Sequence, residues 1–129
     1  MSYELSFKHE SDYLYVQATG TRNLENIVAM VKDFFAERDR HGYSNVLLDV
    51  RGMVGGLNTI ETFRLGKKNL QPVRPPGQAK ISVLDLEENR ERFQYMEGIA
   101  INIGLILRIF TDVDKAITWL RVSKNPAGE

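Results

Sequence analysis

The chain has 129 residues, of which 43% are hydrophobic and 26% are charged, and this length and composition predict one globular domain, residues 1–129. Seventeen basic residues balance seventeen acidic ones, which argues against binding to nucleic acid through a general positive charge. The chain contains no cysteine, which excludes disulfide bonds, thiolate metal sites and cysteine nucleophiles.

Residues 3–20 are predicted to form a β-hairpin. Apolar and polar residues alternate in YELSF and in YLYVQATG, as in strands with one buried face, and the polar residues HESD lie between them. The next apolar residues have helical spacing. We expect Asn23 to cap this helix and Gly42 to follow its last turn.

Strands and helices alternate in the rest of the chain. The apolar segments NVLLDV, KISVLD and LILRIF predict buried strands. Between them we expect a helix from Asn58 to about Leu70 and a helix after the charged segment EENRER, with Asp112 capping a last helix. This ββαβαβαβα order predicts an α/β domain with four helices and a five-stranded, mostly parallel sheet whose N-terminal edge strand is antiparallel.

Neither a signal peptide nor a membrane-spanning helix is predicted. The N-terminus has no apolar stretch after a charged region, and the longest apolar tract, Ile99–Phe110, is too short and contains Arg108. We therefore expect a cytoplasmic protein.

The run formed by LYVQATG, NLENIVAMVKDFF, NVLLDVRGMVGG, KISVLD and LRIFTDVDKAITWL resembles the SpoIIAA-like family. The resemblance covers residues 3–121 and implies a fold shared with STAS domains and CRAL-TRIO lipid-transfer domains. It also implies a non-enzymatic binding or regulatory domain, and the CRAL-TRIO relatives suggest contact with a lipid or a membrane.

A glycine-rich stretch, VRGMVGGLNTI, follows the third predicted strand. The resemblance places it where STAS-type anti-sigma-factor antagonists carry a phosphorylatable serine in an Asp-Ser-Ser-Gly-Leu segment. Here Leu57–Glu61 occupies that place, and the absence of the serine argues against a phosphorylation switch, since Thr59 is the only hydroxyl in it. The candidates for a ligand or partner loop are Gly55, Gly56, Asn58 and Thr59.

The same stretch has a purely structural interpretation. The spacing of Asn58 and Glu61 predicts a capping box, and Gly52, Gly55 and Gly56 would then only shape the turn. A nucleotide-binding loop is not predicted, because GMVGGLN lacks the Gly-Lys-Ser/Thr ending and the Gly-x-Gly-x-x-Gly pattern.

A local excess of positive charge lies downstream, since residues 62–84 include five basic residues and no acidic one. A basic helix with an apolar face can lie on an anionic membrane or beside a lipid head group, and an ordinary solvent-exposed helix is the alternative. The candidates for contact with a membrane or head group are Arg64, Lys67, Lys68 and Arg74. The candidates for lining an apolar pocket are Phe63, Tyr95, Met96 and Ile99.

Three aspartates, Asp49, Asp85 and Asp112, follow predicted parallel strands, where open α/β sheets bind ligands. A magnesium-dependent phosphoryl-transfer enzyme is therefore one alternative. Each aspartate also has a structural explanation, Asp112 as a helix cap, Asp85 as a strand-end residue before a turn, and Asp49 as the partner of Arg51.

His9 and His41, the two histidines, lie in no recognised catalytic or metal-binding motif. We predict no catalytic residue, no metal and no cofactor. The main hypothesis is a non-enzymatic domain that binds a small apolar or lipid-like ligand, with peripheral association at the inner membrane face. The first alternative is an anti-sigma-factor-antagonist-like switch that docks a protein partner through the loop Gly55–Thr59. A homodimer through the exposed hairpin strand remains open.

Overall fold

The computed structural model describes residues 3–56, 58–64, 80–102 and 105–121, with the main chain alone for residues 59, 62, 63 and 102. The strands are β1 (Tyr3–His9), β2 (Leu14–Thr21), β3 (Asn45–Val54), β4 (Lys80–Leu84) and β5 (Ile106–Phe110). The helices are α1 (Leu24–His41), α2 (Thr59–Arg64), α3 (Phe93–Asn102) and α4 (Val113–Arg121), and a 3₁₀ helix, Glu87–Arg92, leads into α3.

The five strands form one sheet in the order β1-β2-β3-β4-β5. The first two strands are antiparallel and all later pairs are parallel, which confirms the predicted sheet. We call the end of the sheet where the parallel strands finish its carboxyl end. The opposite end, where they begin, is its amino end.

Helices cover both faces of the sheet. On one face, Met30 and Phe34 of α1 pack with Val46 and Leu48 of β3 in the larger apolar cluster. On the other face, a smaller cluster joins Leu47 to α4; its buried members are Tyr13, Leu47, Ala116 and Leu120. Successive side chains of a strand point to opposite faces, so a strand buried on both sides needs the continuous apolar run that β3 has.

The predicted helix ends are confirmed. The Asn23 side chain accepts a hydrogen bond from the N–H of Asn26 at 2.8 Å, and Gly42 ends α1 in the left-handed conformation with φ of 75°. Asp112 Oδ1 accepts the N–H groups of Asp114 and Lys115 at the start of α4. None of the helices in the described ranges is long and apolar enough to span a membrane.

The prediction of four full helices is corrected to three, because α2 is only a short segment. Within the described residues, three helices have nine residues or more, and α2 has only six. The predicted continuation of α2 to Leu70 lies outside the described residues.

A second correction concerns Gly52, which we expected in a turn. Strand β3 continues to Val54 because β2 continues alongside it, pairing Thr19 with Gly52 and Thr21 with Val54. A Cβ atom at Gly52 would lie 2.9 Å from Cγ2 of Thr19, so the close approach of the two strands requires glycine here.

Candidate functional site

A largely buried ion pair lies at the carboxyl end of the sheet. The Arg22 guanidinium, just after β2, donates to both oxygens of Asp85 at 2.9 and 3.2 Å and to the carbonyl of Val50 at 3.0 Å. Asp85 also accepts the N–H of Leu86 and the side-chain amide of Asn89, at 2.7 and 2.9 Å. Arg22 thus connects the end of β2 to the middle of β3 and to Asp85 after β4, and Asp85 connects to the 3₁₀ helix through Asn89.

Asp85 is ionised in this setting. Burial opposes its negative charge, but the hydrogen bonds from Arg22 and Asn89 outweigh burial and hold the pKa of this carboxyl below its usual range. Both carboxylate oxygens already accept hydrogen bonds from the protein. A structural role is therefore enough to account for the position and the charge of Asp85.

The other two strand-end aspartates are also engaged. Asp49 accepts the Tyr15 hydroxyl at 2.8 Å and both the main chain and the guanidinium of Arg51, which confirms the predicted pair. Burial alone would raise the pKa of Asp49, but these hydrogen bonds lower it by more, so the pKa lies below its ordinary value. Asp112 caps α4. Within the described residues, the three aspartates form no group of three possible metal ligands.

The loop between β3 and α2 is fixed at both ends. At its start, the Arg22 N–H donates to the Val54 carbonyl at 2.7 Å, and Gly55 has a φ of 85°, which favours glycine. At its end, Asn58 Oδ1 accepts the N–H of Glu61 at 2.8 Å, and Glu61 Oε1 accepts the N–H of Asn58 at 3.0 Å. The predicted capping box is therefore confirmed.

Exposed apolar side chains flank this loop on both sides. Val54 is 65% exposed and Ile60 is 64% exposed, and Leu86 on the neighbouring loop is also exposed. The Arg92 side chain extends from the 3₁₀ helix to the loop. Its Nη1 atom lies so close to Gly56 that a Cβ atom added at this glycine would be only 2.0 Å away. Sequence reasoning missed Val54, Ile60 and Arg92. The signal in the sequence that could have identified Val54 and Ile60 is an aliphatic residue on each side of a glycine-rich loop.

An apolar cavity of about 140 Å³ lies between α1, α3 and the sheet. Met96, one of the predicted pocket residues, lines it together with side chains such as Met30, Val31, Phe34, Val83 and Leu107. Of the other predicted pocket residues, Tyr95 is exposed and Ile99 is half-buried on the same helix, and the side chain of Phe63 lies outside the described atoms.

The remaining predicted site residues are placed only in part. Gly55, Gly56 and Asn58 lie together in the loop, and Thr59 begins α2. Arg64 is exposed at the end of that helix. Lys67, Lys68 and Arg74 lie outside the described residues.

Comparisons with known proteins identify the fold. No protein-family model matches the chain, and no curated protein matches it. It is similar to the crystal structure of an anti-sigma factor antagonist from Mycobacterium paratuberculosis, with a TM-score of 0.62 and 12% identity over 93% of this chain and 95% of that chain. It is also similar to an uncharacterised protein with a SpoIIAA-like fold from Shewanella loihica, with a TM-score of 0.53 and 17% identity over 92% and 93% of the two chains. These likenesses confirm the SpoIIAA-like fold predicted from the sequence.

Proposed function

We propose that this chain is a non-enzymatic regulatory domain that docks a protein partner through the loop between β3 and α2. The observation that carries the proposal is the pair of exposed aliphatic side chains, Val54 and Ile60, on either side of a loop whose two ends are held by hydrogen bonds. Complete burial of one such side chain contributes roughly 1.5–3 kcal/mol. Loop ends that are already held by hydrogen bonds lose less conformational entropy when the partner arrives.

The charge beside the loop indicates the chemistry of the partner. Arg92 is exposed and its guanidinium lies against the loop at Gly56. We therefore expect the partner to present an apolar pocket for Ile60 and Val54 and a carboxylate that pairs with Arg92.

The structural neighbour supports a partner of a particular class. An anti-sigma factor antagonist acts, by its name, on an anti-sigma factor, and that protein shares this fold over nearly the whole chain. We propose an anti-sigma-factor-like protein as the partner of this chain as well.

Docking in this proposal needs no phosphate on Thr59. The Glu61 carboxylate already accepts the N–H of Asn58 at the start of α2, so a phosphate on Thr59 would add negative charge beside an existing one. Thr59 remains a candidate modification site.

The lipid-like ligand predicted from the sequence has weaker support. The cavity beside Met96 has a volume of about 140 Å³, whereas sites for ligands of drug size start at roughly 300 Å³. Neither structural neighbour is a lipid-binding protein by its name. The protein-docking hypothesis therefore replaces the lipid hypothesis as the leading one.

Site-specific photo-crosslinking in the native cell tests the proposal. A photo-reactive amino acid replaces Ile60 in one strain and Ile101 in another, and crosslinked proteins are identified by mass spectrometry. Ile101 is a matched control, because it is also 64% exposed but lies near the end of α3, towards the amino end of the sheet. We expect one specific adduct from position 60 that is absent from position 101.

The affinity of the purified partner then measures the contribution of each side chain. We expect Ile60→Asp to weaken binding about tenfold or more, because it places an unpaired charge in an apolar interface, and Ile101→Asp to leave binding unchanged. Thr59→Val should also bind as the unmodified chain does. Equal crosslinking from both positions, or equal affinity of the two aspartate variants, would contradict docking through this loop.

A further inference from the structure

A cluster of three polar side chains lies at the amino end of the sheet, away from the loop described above. His9 is the last residue of β1, and Glu37 and His41 lie one turn apart at the end of α1. The Nε2 atoms of His9 and His41 lie 2.9 and 3.2 Å from the same atom, Oε2 of Glu37. The two histidines are 32 positions apart in the sequence, and only the fold brings them together.

The donor atoms of this cluster suit a transition metal. Two imidazole nitrogens and one carboxylate oxygen are ligands that zinc accepts in proteins. One ligand atom from each of His9, Glu37 and His41 can be chosen so that all lie within 4.8 Å of one another. Tetrahedral zinc, with bonds of about 2.0–2.2 Å, holds its ligand atoms roughly 3.3 Å apart, so small side-chain movements would admit the ion.

Neighbouring groups hold the ligands in place. The His9 ring stacks on Tyr43 with centroids 6.0 Å apart, and the Tyr43 hydroxyl donates to the Glu10 carbonyl at 2.5 Å. The His9 and His41 rings themselves lie 4.4 Å apart. Such support reduces the side-chain freedom that is lost when a metal binds.

Glu37 carries the negative charge that a cation needs. Both histidines face Oε2 of Glu37, whereas Arg40 pairs with Oε1. The oxygen nearest to a bound ion is therefore Oε2, which Arg40 leaves accessible.

We propose that His9, Glu37 and His41 form a binding site for a divalent transition metal, with zinc as the best-matched ion and water at the fourth position. A bound ion would join the end of the edge strand β1 to the end of α1. The hydrogen bond between His9 and Glu37 that links these two segments here is exposed. This site is independent of the docking loop, and its test does not depend on a partner.

Calorimetric titration of the untagged, EDTA-treated chain with zinc chloride tests the site. We expect one ion per chain, with affinity at least tenfold weaker in His9→Gln and in His41→Gln. Arg40→Gln is the matched control, because it lies in the same cluster but removes no ligand, and it should bind zinc at least as tightly as the unmodified chain. Circular dichroism confirms that each variant is folded.

A second measurement needs no substitution. Cobalt added to the ¹⁵N-labelled chain should broaden the amide signals around residues 9, 37 and 41 before those of the carboxyl end of the sheet. Absence of binding at millimolar zinc would overturn the proposal. So would equal affinities for the unmodified chain and both histidine variants, or broadening that is distributed over the surface; each would indicate that the cluster is held by hydrogen bonds alone.

Discussion

The two ends of the sheet carry polar clusters of opposite character. At the carboxyl end, Asp85 is buried and Arg22 is half-buried, and the two are bonded to each other and to the main chain. At the amino end, His9, Glu37 and His41 are exposed or half-buried, and their ligand atoms converge on one point near the surface. Open α/β sheets usually bind ligands at the carboxyl end, but here the charges of Arg22 and Asp85 at this end stabilise the fold. The side chains suited to metal chemistry lie at the other end.

The largest expected effect is the loss of the Asp85 carboxylate. Asp85→Ala leaves the Arg22 guanidinium buried without its counter-ion, and we expect the free energy of unfolding to fall by about 3–5 kcal/mol in urea denaturation. The double variant Arg22→Met/Asp85→Leu removes both charges and should recover most of this loss. Asp114→Asn, at an exposed position, is the control and should be close to neutral. If Asp85→Ala lowered the free energy of unfolding as little as Asp114→Asn, the stability of the protein would not depend on the Arg22–Asp85 pair.

An intermediate effect is expected from acid. Asp49 and Asp85 both have pKa values below the ordinary value, so the unfolded chain binds more protons than the folded chain as the pH falls. The stability that they contribute is fully present above about pH 5 and is lost as the pH falls through their folded pKa values. Urea denaturation between pH 3 and pH 7 measures this loss.

The Asp85→Asn variant isolates one of the two groups. It has no carboxyl to titrate at this position, so its stability should fall less steeply with acid than that of the unmodified chain. Parallel slopes for the two proteins would show that Asp85 does not contribute to the acid sensitivity.

The smallest expected effect lies at the amino end. In metal-free buffer, His9→Gln should change the free energy of unfolding by no more than roughly 0.5 kcal/mol, because the side chain is exposed. With zinc present, the unmodified chain should gain more thermal stability than His9→Gln. A large loss in metal-free buffer would instead give His9 the same structural role as Asp85 and remove the contrast between the two ends.

Short-range patterns predicted much of this molecule. Asn23, Gly42 and Asp112 end or begin helices as expected, and the Asn58–Glu61 capping box has the predicted bonds, because each feature depends on residues within one turn of helix. The extension of β3 through Gly52 was missed. It depends on the neighbouring strand, whose own residues lie more than thirty positions earlier in the chain.

The candidate sites were predicted less well for the same reason. The loop at Gly55 and Gly56 could be located, because glycines after an apolar strand are a local signal. The exposure of Ile60 and the reach of Arg92 to the loop depend on how distant segments pack, and no local pattern reports them.

The sequence by itself determined the order of strands and helices, the helix caps and the mostly parallel sheet, because periodicity, capping and chain connectivity are local properties. Only the tertiary structure decided that Arg22 neutralises Asp85 across 63 positions, and that His9 lies beside Glu37 and His41. Such pairs form when the sheet brings strand ends together, and their energies depend on burial and distance, which exist only in the folded chain.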